Sequence, residues 1–228
     1  IDEVSHQLEV VNALNVSIKT GQVPHLLMYG PPGTGKTSTV LAMAKELFGK
    51  EFYKSRILEL NASDERGIQV VREKIKKFAQ RKIAKAPGST CPPIQICILD
   101  EADSMTIDAQ AALRRIIEAY STNTRFCIIC NYISKIIDPL ASRCVKFRFS
   151  PISEAAQRER LGMICNLEGI KVESPAVLDA LIEISEGDLR RSINTLQTCS
   201  SFIKNSNVPL KMIDIEKISG VVNNKVVA

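Results

Sequence analysis

The stretch Gly30-Pro-Pro-Gly-Thr-Gly-Lys-Thr37 satisfies the pattern G-x-x-x-x-G-K-[ST] at every fixed position. That pattern works only in one local setting, a buried strand that ends abruptly in a loop and restarts as a helix. Leu26-Leu-Met-Tyr29 supplies the strand, and a helical pattern over about 36–48 supplies the helix. Gly33 and Gly35 permit backbone conformations closed to residues with a Cβ. Successive N–H groups can then turn toward one anion, and the helix adds its positive end to the same point. Lys36 supplies a point charge for β- and γ-phosphates, and the Thr37 hydroxyl is a ligand for Mg²⁺. Gly30, Pro31, Pro32, Thr34 and Ser38 complete the predicted nucleotide-binding wall. The competing reading is a glycine-rich turn with a chance lysine, which leaves the flanking strand and helix unexplained.

The rest of the chain continues the alternation. Further buried strands are expected at Arg56-Ile-Leu-Glu-Leu60, Ile94-Gln-Ile-Cys-Ile-Leu99, Arg125 to Cys130 and Val145-Lys-Phe-Arg-Phe149, with helices over about 67–82 and 106–121. Strand–helix alternation implies right-handed crossovers and a five-stranded parallel sheet covered on both faces. After Pro151 the pattern turns wholly helical, with segments near 153–167, 174–185, 188–203 and 211–218. The expected organisation is therefore an α/β nucleotide-binding domain over 1–150 and a small all-α lid over 151–228. The stretch from Ala84 to Pro93 is expected to be a surface loop.

Composition excludes other classes. Of the 228 residues, 45% are hydrophobic and 24% charged, enough to bury a core without covalent staples. No apolar run approaches the roughly 20 residues that span a bilayer, and the start, Ile1-Asp2-Glu3, is no signal peptide. Neither a membrane partner nor secretion is expected. Seven cysteines at irregular spacing are no disulfide framework and suggest a reducing compartment. Cys127 and Cys130 form a C-x-x-C, but in a strand an odd separation puts the two thiols on opposite faces. They are expected to be small buried hydrophobes.

The strand ending at Leu99 runs directly into Asp100-Glu-Ala-Asp103. Its C-terminal end faces the nucleotide crevice. Asp100 is therefore placed for the Mg²⁺ shell, through water, and Glu101 for polarising an attacking water. Asp103 is expected to orient local structure or pair with a base. Together the phosphate loop and the strand-end acids point to hydrolysis of a nucleoside triphosphate.

These motifs and the helical lobe resemble the AAA+ ATPases. The resemblance narrows on Leu60-Asn-Ala-Ser-Asp-Glu-Arg-Gly67, Asp100-Glu-Ala-Asp-Ser-Met105, Gln110-Ala-Ala-Leu-Arg-Arg115, Cys130-Asn131, Ser142-Arg-Cys144 and Gly187-Asp-Leu-Arg-Arg191. Those segments are similar to the small subunits of replication factor C, the eukaryotic clamp loader. The resemblance implies ATP and Mg²⁺ as cofactors and a nuclear location. The implied partners are other clamp-loader subunits in a hetero-pentamer, a ring-shaped sliding clamp and primer-template DNA. It makes Asn131 the sensor that orients the lytic water, and Arg190 a second sensor reaching the nucleotide from the lid. Arg143 becomes an arginine finger acting in trans on a neighbour's ATP. Val4 joins the nucleotide-contacting residues, and Asn61 becomes a residue that holds Glu101 inactive. Plainer alternatives stand beside these: a strand cap for Asn131, a solvated helix residue for Arg190 and an ion pair at the sheet edge for Arg143.

Charge enters here. Between Arg66 and Lys85 eight bases face one acid, a net +7, against +5 for the whole chain. Within it Ile68, Val71, Ile75 and Phe78 fall on one helical face, and Gln69, Arg72, Lys76 and Gln80 on one flank. Such a flank suits phosphate contacts that read no base sequence, though a solvated charged face has the same signature. In the family the corresponding helices track duplex backbone. The resemblance thus implies DNA contacts at Arg66, Arg72, Lys76 and, on the next helix, Arg114. The expected function is an ATPase subunit that binds primer-template DNA and loads a sliding clamp. ATP binding drives assembly, and hydrolysis drives release. The alternatives are a nucleotide-stabilised scaffold subunit and another AAA+ DNA motor such as a branch-migration helicase.

Overall fold

The computed structural model describes residues 7–63, 68–81, 83, 91–203 and 209–219. The chain divides into two compact units: Ile1–Pro31 with Gly35–Ser150, and Pro151–Ala228 together with Pro32–Thr34.

In the first unit α1 (Leu8–Thr20) leads into β1 (Leu26–Tyr29), then α2 (Lys36–Arg56), β2 (Ile57–Asn61) and α3 (Ile68–Ala79). β3 (Gln95–Asp100), α4 (Ile107–Tyr120), β4 (Thr124–Cys130), the one-turn α5 (Asp138–Ala141) and β5 (Val145–Arg148) follow. The strands form one sheet, all pairs parallel, in the order β2-β3-β4-β1-β5. Three adjacent C-terminal strand ends, those of β3, β4 and β1, therefore carry Asp100, Asn131 and the phosphate loop.

The three central strands are buried on both faces, which is why β3 and β4 carry near-continuous apolar runs. β5, expected to be buried, is mostly exposed, because it lies at a sheet edge with a strand on one side only. Leu26, Met28, Ile96, Ile98, Cys127 and Ile129 point to one side and pack with Leu14 of α1 and Val40, Met43 and Leu47 of α2. Leu27, Cys97, Leu99, Phe126, Ile128 and Cys130 point to the other and meet α3, α4 and α5. Cys127 and Cys130 thus lie on opposite faces.

Three further elements differ from the sequence expectation. α1 occupies a stretch where the sequence pattern predicts no element. α2 runs on to Arg56, although Gly49 (φ 64°, ψ 177°) interrupts its helical backbone where the expected helix stops. α3 ends at Ala79, not 82; the Gln80 N–H still bonds the Lys76 carbonyl at 3.0 Å, and its side chain donates through Nε2 to the Tyr120 hydroxyl at 3.0 Å. Of the loop expected over 84–93, only Cys91, Pro92 and Pro93 are among the described residues.

The second unit contains α6 (Glu154–Glu168), α7 (Pro175–Ser185), α8 (Leu189–Ile203) and α9 (Met212–Ser219). Its own core joins Leu161, Leu178, Leu181, Leu196, Cys199 and Ile215. Local chemistry sets the ends: Ser153 caps α6 by accepting from the Ala156 N–H, and Gly169 closes it in the left-handed conformation. Among the described residues no helix is long and apolar enough to cross a membrane.

Candidate functional site

β1 ends at Tyr29, and the loop begins with a steric requirement. A Cβ on Gly30 would lie 2.1 Å from the Phe149 carbonyl oxygen, so only glycine lets the loop leave the sheet there. Gly33 (φ 71°) and Gly35 (φ 89°) take the left-handed backbone, and Gly35 caps α2.

Lys36 is 7% exposed at the start of α2. Its Nζ donates to the carbonyls of Gly30 (2.8 Å) and Pro31 (2.7 Å) and to Oδ1 of Asn131 (3.0 Å). A buried ammonium needs such acceptors. The third comes from residue 131, just past β4, and sets a side-chain amide against the loop lysine. Beside it the Thr37 hydroxyl donates to Oδ2 of Asp100 at 2.6 Å, while Oδ1 of Asp100 accepts from the Glu101 N–H at 2.8 Å. One hydroxyl and one carboxylate, with no thiolate or imidazole, form a hard oxygen donor set that fits Mg²⁺. Lys36, Thr37, Asp100 and Asn131 are thus brought together from three strand ends.

Glu101 is exposed next to this cluster and holds a left-handed backbone (φ 53°, ψ 37°), uncommon for a residue with a side chain. A one-turn 3₁₀ helix, Ala102–Ser104, locks it: the Glu101 carbonyl accepts from Ser104 N (2.9 Å) and Ser104 Oγ (2.7 Å). Asn61 is paired opposite Asp100, but its amide oxygen accepts from the N–H and hydroxyl of Ser63 within its own turn. Among the described hydrogen bonds none joins Asn61 to Glu101.

The remaining predicted residues fall elsewhere. Arg143, after α5, is ion-paired with Glu118 and donates to the Pro139 carbonyl at 2.5 Å. Arg114 is paired with the same Glu118 carboxylate at 3.2 Å, one helical turn away on α4. One acid on α4 thus neutralises both the expected trans finger and an expected DNA contact, and all three side chains are partly exposed. Arg72 and Lys76 are exposed on α3, whose buried face carries Ile75 and Phe78. Arg190 is exposed near the start of α8, with its N–H bonded to Asp188 Oδ1 at 2.9 Å. Pro32 belongs to the loop and Ser38 to the first turn of α2, with Thr34 3% exposed. Val4 and Arg66 lie outside the described residues, as do the side chains of Ile68, Gln69 and Val71.

Two polar residues hold the surroundings of the site together, Gln110 in a role that sequence reasoning did not supply and Asp103 as the expected orienter of local structure. Gln110, 1% exposed, donates to the carbonyls of Met105 (3.3 Å) and Lys135 (2.9 Å) and accepts from the Ile137 N–H (2.8 Å). It ties the start of α4 to the segment leading to Arg143. Oδ2 of Asp103 accepts from the N–H groups of Asn131 and Tyr132, at 3.2 and 3.3 Å. The only sequence signal for Gln110 was a polar residue beside Ala109, Ala111 and Ala112.

The cysteines offer no competing chemistry. Burial pushes the Cys130 thiol up to about 12, with the Asp103 charge adding, and pushes Cys144 up to about 11. Among the described residues no group of three or more His, Cys, Asp or Glu side chains could hold a metal.

Residues 26–152 match the family model "ATPase family associated with various cellular activities (AAA)", and residues 159–201 match "RCF1/5-like, AAA+ ATPase lid domain". The chain is 54% identical to replication factor C subunit 4 of Homo sapiens over 97% of its own length and 63% of the relative's. It is also 54% identical to subunit 2 of Oryza sativa subsp. japonica (100% and 66%) and to subunit 4 of Arabidopsis thaliana (100% and 67%). The chain thus spans about two thirds of these relatives. Among solved structures, the Thermotoga maritima RuvB Holliday junction branch migration motor superposes with a TM-score of 0.72 at 15% identity, covering 97% of this chain and 69% of that one. That likeness concerns the fold.

Proposed function

From a chain that belongs to the AAA ATPase family and, within it, to the replication factor C subunits, we infer an ATPase subunit of a clamp loader. In this reading the subunit binds primer-template DNA with its neighbours and loads a ring-shaped sliding clamp in the nucleus. Residues 1–150 act as the nucleotide-binding domain and 151–228 as the lid. The carrying observation is the convergence of Lys36 on Asn131 (3.0 Å) and of Thr37 on Asp100 (2.6 Å).

The roles follow from chemistry. The loop from Gly30 to Ser38 binds the triphosphate of ATP, and Lys36 exchanges carbonyl acceptors for phosphate oxygens. Mg²⁺, held by Thr37 and Asp100, would offset charge on the β- and γ-phosphates. Glu101 polarises a water, and the Asn131 amide orients it. The water oxygen bonds to the γ-phosphorus, the bond to the β–γ bridging oxygen breaks, and Glu101 accepts the water's proton. Arg143 leaves Glu118 to stabilise the same step on a neighbour's ATP. Arg190 takes its sensing role, and Val4 its nucleotide contact, on the resemblance alone. Arg66, Arg72, Lys76 and Arg114 contact the DNA backbone, hydrolysis then releasing the clamp.

The test assembles the chain with its partner subunits and measures ATP hydrolysis with and without sliding clamp and primed DNA. Stimulation that needs both is expected. Arg143→Ala should lower turnover by about 10³-fold at the neighbour's site while this subunit still binds ATP. Strand unwinding coupled to hydrolysis, without a clamp requirement, would overturn the reading in favour of a DNA motor.

A further inference from the structure

We propose that Asp103 is a positioning residue that fixes the spacing between Glu101 and Asn131, and so sets where the attacking water sits. The proposal rests on the reading that these two residues handle that water.

The geometry begins with the ladders. β3 pairs with β4 up to Leu99 opposite Ile128, and β1 pairs with β4 up to Tyr29 opposite Cys130. Asn131 and Tyr132 lie beyond both ladders, so no strand partner defines their backbone. Oδ2 of Asp103 does so, accepting from both N–H groups at 3.2 and 3.3 Å. A carboxylate acceptor makes each bond charge-assisted and stronger than an amide pair.

The other end of the strut is equally defined. Asp103 sits inside the 3₁₀ turn Ala102–Ser104, between fully buried Ala102 and Ser104, whose N–H and hydroxyl both bind the Glu101 carbonyl. A single short turn therefore holds Glu101 through its backbone and Asn131 through the Asp103 side chain. The Asn131 amide is engaged in turn by Lys36. A shift of the backbone at 131 would move that amide relative to both Lys36 and Glu101, and misplacement by about 1 Å costs on the order of 10²-fold in rate.

The test uses the assembled complex with clamp and primed DNA, arranged so that only this subunit's site turns over. Single-turnover hydrolysis at saturating ATP is compared for Asp103→Ala, Asn131→Ala and the double variant, with binding of a non-hydrolysable ATP analogue measured alongside. Asp103→Ala should slow hydrolysis by roughly 30- to 100-fold and change analogue affinity by less than about threefold. The double variant should be no slower than Asn131→Ala beyond about twofold, because Asp103 acts through Asn131. Asp103→Asn keeps a side-chain oxygen acceptor and should recover most of the rate, which also covers a failure of the alanine variant to fold. Multiplying losses in the double variant, or an Asp103→Asn as slow as Asn131→Ala, would overturn the proposal. A full rate in Asn131→Ala would instead overturn the reading beneath it.

Discussion

Glu101 combines a catalytic expectation with a backbone cost, and the two can be separated by mutation. Its left-handed conformation (φ 53°, ψ 37°) is imposed by bonds from its own N–H to Asp100 and from Ser104 to its carbonyl. For a residue with a Cβ that conformation costs about 1–2 kcal/mol. The side chain is exposed, so little packing offsets the strain. Glycine would remove the strain but loosen the unfolded chain by about 0.5–1 kcal/mol. The net expectation is that Glu101→Gly is more stable than the parent by about 0.5–1 kcal/mol. Glu101→Ala keeps the Cβ and should match the parent. In a chain of 228 residues, a gain of about 1 kcal/mol corresponds to roughly 2–4 °C in Tm. Thermal unfolding of the three proteins measures this, and both variants should lose hydrolysis by about 10²- to 10⁴-fold in the assembled complex. The signature is therefore two equally inactive proteins of unequal stability. Glu101→Ala proving as stable as Glu101→Gly would refute the argument, since the strain would then be absent. Glu186, also left-handed at φ 52°, gives a comparison with no expected chemistry attached.

Two further outcomes follow from the charges. His25 accepts the Phe126 N–H through Nδ1 at 3.2 Å, and burial, with the Arg125 charge adding, lowers its pKa from 6.5 to about 4. The unfolded chain therefore binds the extra proton first. His25's contribution to stability is complete above pH 6.5 and is lost as the pH falls from there to about 4. His25→Asn, which keeps an acceptor, should flatten the difference between denaturation midpoints at pH 7 and pH 5. On α3, Arg72→Gln with Lys76→Gln should reduce the slope of log affinity for primed DNA against log salt by about 0.9 for each phosphate no longer neutralised. An unchanged slope in a binding titration would assign that face to solvent.

The α/β unit was legible because its signals are local. Both-face burial writes itself as continuous apolar runs such as Ile94 to Leu99, and the phosphate loop is contiguous. Strand order was not legible: a right-handed crossover constrains the hand of each connection, not which strands become neighbours. α1 is hard to read for another reason, its sequence LEVVNALNVSIKT being rich in β-branched residues and Asn, which carry weak helix propensity. In the site, Lys36, Thr37 and Asp100 announce themselves by pattern, and Asn131 and Arg143 by resemblance. Their partners do not. Asp103 reaches Asn131 across 28 positions and Glu118 reaches Arg143 across 25, and such pairs exist only once the sheet has brought its strand ends together. Gln80, drawn on the flank of α3, spends its amide on Tyr120 of α4, a tertiary bond that no helical spacing announces.

Gly30 carries a different lesson. By pattern it opens a nucleotide-binding motif, yet its requirement for glycine comes from the Phe149 carbonyl, at the seam between β1 and β5. A chain with this sheet would need glycine there even if it never met a phosphate. Part of the motif is thus architecture that chemistry inherits, and a signature shared between proteins can testify to a common scaffold before it testifies to a common reaction.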